Sequence, residues 1–456
     1  MQLYYKGRPN EQHTIMKISS DRSILLVKNI LASFFIKGWS ALVVLMMVPL
    51  TLNCLGAYKN GVWLTISSML VWIDQMDIGL GNGLRNSLAT HVAHDDYTAA
   101  RKVVSSTMAM SFCIMVPILL GLLYVIWNCN IYSFLNVNEA EIPELRIAAI
   151  CAVTLVCMTF VMKNVGNVYM GMQIPAANNL IMALGQTLAL ISTWLLYISQ
   201  NASFIHIVLA NTATPLFVYL LAFPYTFYSK FPELRPRLSE IDLHAAIQLG
   251  NISLKFFWLQ IAAVVQFMTA NILISRFFNP EMVTKYQIAY RYMSIVMVFF
   301  TVVCMPFWNA TTDAYERNDM NWICRASRKM NMLTLLIFFL LVTMTIVSPL
   351  VYDFWIDNSC HVPFSMTVMM AIYIFLLIVS MRYSYFLNGI GALRLQMYMT
   401  VSAIVFIPLA WYVSKTSHNI IWFMAAMCIC NIPGIIVNVI QFNKILKGKA
   451  VGIWRK

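Results

Sequence analysis

Apolar runs of about 20 residues recur along this chain with short polar breaks between them, and this pattern constrains the fold most. They fall near 30–53, 58–80, 103–127, 147–170, 180–199, 204–228, 254–276, 284–308, 332–356, 366–388, 395–414 and 420–441. A helix of about 20 residues crosses the roughly 30 Å hydrocarbon core of a bilayer. Each run is therefore expected to span, which predicts an all-α polytopic membrane protein of about 12 transmembrane helices. Composition agrees. The 456 residues are 60% hydrophobic and 11% charged, with mean hydropathy +0.71. A soluble domain carries about 25% charged residues, so this chain cannot build a polar coat and lipid must be its main solvent.

An even number of spans puts both termini on one side. Roughly 22 of the 31 Lys and Arg lie in the termini and the loops of that side, among them Arg101, Lys102, Arg235, Arg237, Arg328 and Lys329. Lys59, Arg146 and Lys415 lie opposite. This asymmetry predicts cytoplasmic termini. Trp127, Trp194, Trp355 and Trp411 fall near expected outer ends, where aromatic anchors belong. The first apolar run ends without a small-residue cleavage pattern, so it reads as a span and not as a cleaved signal.

The stretch SKFPELRPRLSEID, 229–242, divides the chain. The predicted organisation is a cytoplasmic segment 1–29 and an N-lobe 30–228 holding spans one to six. A linker 229–253 follows, whose capping box at Ser239 to Asp242 would open an interfacial helix. A C-lobe 254–441 holds spans seven to twelve, and a basic tail covers 442–456. The halves echo each other. Asn86, Asp95, Asp96, Arg101 and Lys102 follow the second span; Asn309, Asp319, Arg328 and Lys329 follow the eighth. Each set reads as a cytoplasmic amphipathic helix of about 20 residues, and duplicated six-helix units are a transporter signature.

Several chemistries are excluded. The net charge of +13 is distributed as topology requires, so nucleic acid is not the expected partner. The ten Cys sit mostly inside apolar runs, with no CxxC pair, and suit small apolar filler rather than metal or disulfides. No GxxxxGK[ST] sequence occurs, so the chain is not expected to hydrolyse ATP. DIGLGNGLRN, 77–86, is glycine-rich, but a spanning helix precedes it instead of a strand, so it reads as a helix exit with Arg85 aimed at headgroups or substrate. No Ser/His/Asp set has supporting context. The longest outer loop, 128–146, is too short for a glycan polymerase or ligase site. The chain is not expected to be an enzyme, and no cofactor is implied.

Charges inside spans cost about 2.5–3.5 kcal/mol each on insertion scales and face cavities or partners. The deep cations are Lys37, Lys163, Arg291 and Arg382; the deep acids are Asp74 and Asp77. The cations suit the positive wall of a central cavity that binds phosphate. The aspartates are candidates for proton or sodium coupling, or for pairing with a cation. Arg276 and Lys285 lie near an outer end and can snorkel. The deep amides Asn164, Asn167, Gln186, Asn211, Gln260, Gln266, Asn271 and Asn431 can line such a cavity, and Asn164, Asn167, Gln260 and Asn271 are the candidates for sugar contacts; interhelical hydrogen bonding is the alternative for each. Prolines at 49, 117, 215, 306, 408 and 433 interrupt spans and can kink them.

The stretch Asn29 to Lys102 resembles the bacterial polysaccharide exporter and O-antigen flippase family, within the multidrug/oligosaccharidyl-lipid/polysaccharide exporter superfamily. The matching pieces are NILASFFIKGWSALVVLMMVPLTLN, YKNGVWLTISSMLVWIDQMDIGLGNGLRN and parts of HDDYTAARKVVS. They cover the first quarter of the chain; the remainder agrees in span count and two-lobe layout. The resemblance implies two six-helix lobes around a central cavity and transport by alternating access. It implies a polyprenyl-diphosphate-linked oligosaccharide, moved from the inner to the outer leaflet of the bacterial inner membrane. It also implies glycan polymerase and chain-length machinery as partners. A diphosphate carrying about two negative charges gains about 4–5 kcal/mol per 100 mV on moving outward against an inside-negative potential. The alternative is a small-molecule or drug antiporter of the same superfamily, for which cationic substrates would call for buried acids.

Overall fold

The computed structural model describes residues 9–75, 80–242, 269–357, 359–392, 394–399 and 401–455. It is an all-α polytopic membrane protein with two lobes. In the N-lobe, α1 (Pro9–Gln75) holds the first two spans. Gly56 separates them with φ 71° and ψ 170°, a backbone state that glycine enters without steric cost. There follow α2 (Leu80–Ala93), α3 (Tyr97–Asn128), the short α4 (Ile131–Leu135), α5 (Leu145–Met162), α6 (Asn164–Gly171), α7 (Pro175–Ile198) and α8 (Phe204–Pro224). In the C-lobe, α9 covers residues 269–277. Then come α10 (Pro280–Glu316), α11 (Met320–Ile356), α12 (Phe364–Ile390), α13 (Arg394–Met399), α14 (Val401–Ser417) and α15 (Ile420–Leu446).

Among the described residues, 8 helices are long and apolar enough to cross a bilayer, and the one at 32–73 contains two crossings about Gly56. The 37-residue α10 and the 17-residue α14 match the eighth and eleventh apolar runs; the seventh run lies mostly outside the described residues, which include only its end, α9. Some details differ from the sequence reading. The segment before the first span is helical from Pro9 and continuous with it. The eighth span and its amphipathic extension form one helix, α10, because residues 309–316 between them hold no Gly or Pro. The expected interfacial helix lies outside the described residues. The linker before it runs through a π-turn (Tyr225–Lys230) and two 3-10 turns (Pro232–Leu234 and Leu238–Glu240). It is strapped to α3 by Arg237 N–H donating to Ser105 Oγ (3.0 Å), Asp242 N–H donating to Ser106 Oγ (2.7 Å), and an Arg101–Glu240 ion pair at 2.6 Å.

The internal duplication is visible residue by residue. Asp96 caps α3 and Asp319 caps α11, each accepting from the amide three residues on. Each is preceded by a residue in the left-handed region, Asp95 (φ 57°) and Asn318 (φ 58°). The same sequence interval separates Ala57 from Pro280 and Gly61 from Thr284. Those four residues form the junction between the lobes. Pro280 O lies 1.7 Å from where a Cβ on Gly61 would stand, and Thr284 Oγ donates to Ala57 O at 2.7 Å. Residue and counterpart thus contact each other reciprocally, the pattern of a two-fold interface.

We call the face carrying Gly56, the 129–144 loop and the 357–363 loop the outer face, after the orientation that Lys and Arg predict. Hydrogen bonds between the lobes cluster in this outer half. Asn60 Nδ2 donates to Thr284 Oγ (3.4 Å), Ser275 Oγ to Leu135 O (2.7 Å) and Trp355 Nε1 to Leu45 O (3.2 Å). The C-lobe core takes in Val48, Leu52 and Leu64 of α1, again in the outer half. The inner-half core of the N-lobe, around Leu84, Leu88, Val104 and Val168, contains no C-lobe residue. Among the described residues, the lobes are therefore closed on the outer side, and no described core or hydrogen bond joins them near the inner face.

Candidate functional site

A cavity of about 260 Å³ lies between the lobes. Its wall combines Met47, Thr51, Trp63, Leu64, Ser67 and Leu70 of α1 with Val156 of α5, Asn211 and Thr212 of α8, and Arg291 of α10. Arg291 stands eleven residues into α10, about 16 Å along the helix from its outer end at 1.5 Å per residue. Among the described residues it is the one charged side chain on the wall, and one N–H donates to Val44 O at 3.4 Å. A guanidinium has five donors, so the rest remain for a ligand.

The other polar groups offer mainly acceptors. Thr51 Oγ donates to Met47 O (2.9 Å), Ser67 Oγ to Leu64 O (3.0 Å), Thr212 Oγ to Val208 O (2.8 Å) and Asn211 Nδ2 to Ile207 O (2.9 Å). With these protons committed to their own helices, the hydroxyl lone pairs and the Asn211 carbonyl are what a ligand meets. The wall therefore offers one cationic fork, a set of acceptors, and the indole of Trp63.

The structure brings Arg291 to this cavity and places the other described candidates elsewhere. Lys37 is exposed on α1, toward the inner side of the cavity. Lys163 ends α5 and lies 4.5 Å over the Phe160 ring. Arg85 is exposed on α2. Arg382 is buried inside the C-lobe. Asn164 donates to Ser111 Oγ (2.9 Å) and accepts from Asn167 (3.2 Å) within the N-lobe. Asn271 reaches across the lobes to Leu64 O (3.4 Å) and accepts from Gln287 (2.8 Å). Gln260 and Asp77 lie outside the described residues, as does the side chain of Asp74. Arg276 does not snorkel: its guanidinium donates to the carbonyls of Ser133 and Phe134 in the opposite lobe, while Lys285 pairs with Glu281 at 2.8 Å. Asn211, one of the deep amides, does reach the wall, and Thr51, Ser67 and Thr212 are the polar wall residues that the sequence does not single out. Among the described residues, no group of His, Cys, Asp and Glu has the geometry of a metal site.

No family model matches the sequence, and no curated protein matches it. Its fold does match solved structures. An inward-facing multidrug resistance MATE family transporter of the MOP superfamily superposes with a TM-score of 0.73 at 15% identity, covering 90% of this chain and 96% of that one. An outward-facing structure of the same description gives 0.60 at 14% identity, covering 92% and 96%. A MOP superfamily transporter from Pyrococcus furiosus, described as having a binding pocket of reverse polarity that suggests a different function, gives 0.57 at 15% identity, covering 94% and 96%. The chain thus has the fold of MATE transporters of the MOP superfamily, and the structures it resembles are transporters, not enzymes. Its higher score against the inward-facing form agrees with lobes joined at the outer half.

Proposed function

We propose that this chain is an alternating-access flippase. It moves a polyprenyl-diphosphate-linked oligosaccharide from the inner to the outer leaflet of the bacterial inner membrane, with both termini in the cytoplasm. The observation that carries this reading is the sign of the cavity: among the described residues its one charged side chain is Arg291, and no acid lines it. A cationic drug would be repelled there. A phosphate oxygen would gain a charge-assisted, bidentate partner. The acceptor groups of Thr51, Ser67, Asn211 and Thr212 suit the hydroxyl donors of a sugar. A second cavity supports a lipid-borne substrate. It has a volume of about 420 Å³ and is lined by Met46, Pro49, Leu50 and Asn53 of α1 with Leu190, Ile191 and Trp194 of α7. It is almost wholly apolar and suits a hydrocarbon chain.

The test is a deletion strain, in which polyprenyl-linked intermediates are extracted and surface glycan is measured. The expected result is a completed oligosaccharide unit held on the cytoplasmic leaflet, relieved by the wild-type gene and not by Arg291→Ala at equal protein level. Intact surface glycan with no accumulated intermediate would overturn the proposal. The modest polar cavity, near the small end of the range of about 300–1,000 Å³ for ligand sites, favours as second reading a small-molecule antiporter for anions. In that case resistance profiling on overexpression changes while glycan does not.

A further inference from the structure

The C-lobe encloses a cation that, among the described residues, no carboxylate neutralises. Arg382, on α12, is 7% exposed. It stands eight residues before the inner end of α12, about 12 Å along the helix. Its guanidinium lies 4.5 Å over the Tyr383 ring, and Nη2 donates to Ser327 Oγ of α11 at 3.4 Å. Nε is buried and has no hydrogen-bond partner. These neighbours are neutral. The acids of the C-lobe are Glu281, Asp313, Glu316, Asp319, Asp353 and Asp357, and all of them sit in the end turns of helices or in loops. Glu281 already pairs with Lys285 and Asp313 with Arg317. The stretch 243–268 contains no Asp or Glu.

A guanidinium does not deprotonate to escape burial. An uncompensated charge taken out of water is strongly unfavourable unless a counter-charge and hydrogen bonds accompany it. Arg382 therefore needs an anion from outside the polypeptide. We propose that Arg382 and Ser327 form an internal anion site in the C-lobe, separate from the Arg291 cavity, that holds a small anion against the unpartnered Nε–H. Halide and lipid phosphate oxygen share the required chemistry: one negative charge and lone pairs that accept from Nε–H and the Ser327 hydroxyl. The depth of Arg382 is within reach of ions entering from the inner face and of inner-leaflet headgroups. The bound anion would hold α11 and α12 together, and it would stay with the C-lobe while the lobes move.

The test uses the purified full-length chain in a neutral, phosphate-free detergent. Its melting temperature is followed while sodium chloride or bromide replaces sodium gluconate at constant ionic strength. The expected result is a saturable rise with either halide, absent in Arg382→Gln and requiring more halide in Ser327→Ala. Bromide should give an anomalous scattering peak beside Nε in crystals. If halide has no effect but phospholipid raises the melting temperature more than a phosphate-free glycolipid does, and Arg382→Gln removes the difference, the anion is a lipid phosphate and the site stands. If Arg382→Gln does not fold, the wild-type titration and Ser327→Ala still decide. A melting temperature indifferent to halide and phospholipid, or a response unchanged in the variants, would overturn the site.

Discussion

A guanidinium in mid-membrane keeps its charge at any physiological pH, so the two deep arginines can be compared directly. Arg291 faces an open cavity and Arg382 a closed interior. Substrate effects should therefore follow Arg291. Arg291→Lys keeps the charge but loses the fork; Arg291→Ala loses both. Hydrogen bonds to charged groups contribute about 1.5–3 kcal/mol, so Arg291→Ala should weaken apparent substrate affinity by roughly ten- to a hundredfold, with Arg291→Lys between it and wild type. Transport assays across a substrate titration, at matched protein levels, check this order. A Lys variant as defective as Ala would mean that fork geometry matters more than charge. Arg291 was legible in the sequence because a charge deep in an apolar run has few explanations. Asn211 was legible only as one of eight deep amides, and Thr51, Ser67 and Thr212 were not legible at all. Each donates to a carbonyl three or four residues back in its own helix, a bond that any spanning Ser, Thr or Asn can make. Only the facing helices show which of them border the cavity.

At the scale of elements, the outer closure depends on the second half of α1 meeting the start of α10. Because Pro280 O occupies the place of a Cβ on Gly61, and that oxygen is backbone, Gly61→Ala cannot close without moving a helix. Overpacking costs about 1–3 kcal/mol, so the outward-facing population should rise roughly five- to a hundredfold. Cys360 reports this. It is buried in the outer 357–363 loop, beside Ser359, whose Oγ donates to Asn53 Oδ1 across the lobes at 3.2 Å. Burial pushes its thiol pKa up to about 11. At pH 8 only about one closed-state thiol in a thousand is thiolate, the reactive form. In a background retaining only this cysteine, labelling by an impermeant reagent should be slow and rise about tenfold per pH unit toward 11. Gly61→Ala should speed labelling at pH 8 and flatten that pH dependence; an unchanged rate would show that the notch does not set closure. At the inner corners, the Ala99 amide and the Thr98 hydroxyl hold the Asp96 carboxyl below the usual carboxylate range. A depressed folded-state pKa contributes stability above the unfolded pKa that is lost as pH falls through the folded one. Asp96→Ala should lower the melting temperature at neutral pH and remove this acid-range loss. Asp96→Asn, which keeps the capping oxygen, should retain most of the neutral-pH stability.

At the scale of the molecule, the span count, the two lobes and the duplication were legible because each rests on a repeated pattern: about 20 apolar residues per crossing, and the Asn, Asp and Arg or Lys residues that follow both the second and the eighth span. The relation between the lobes was not legible. No hydropathy or charge pattern encodes that Ser275 on α9 reaches Leu135 at the end of α4, or that Trp355 reaches Leu45 instead of anchoring in the headgroups. The reciprocal contacts of Gly61 with Pro280 and of Thr284 with Ala57 make the junction a hinge that both lobes share equally. The alternating access proposed for this chain requires the junction to part once per cycle. A cross-link between Ala57→Cys and Thr284→Cys, in a background without other cysteines, should close readily in the resting protein, since Thr284 Oγ lies 2.7 Å from Ala57 O. It should stop transport completely, and reductant should restore it. Transport that continued with the cross-link fully formed would mean that the lobes never separate at this junction and that the substrate takes another path.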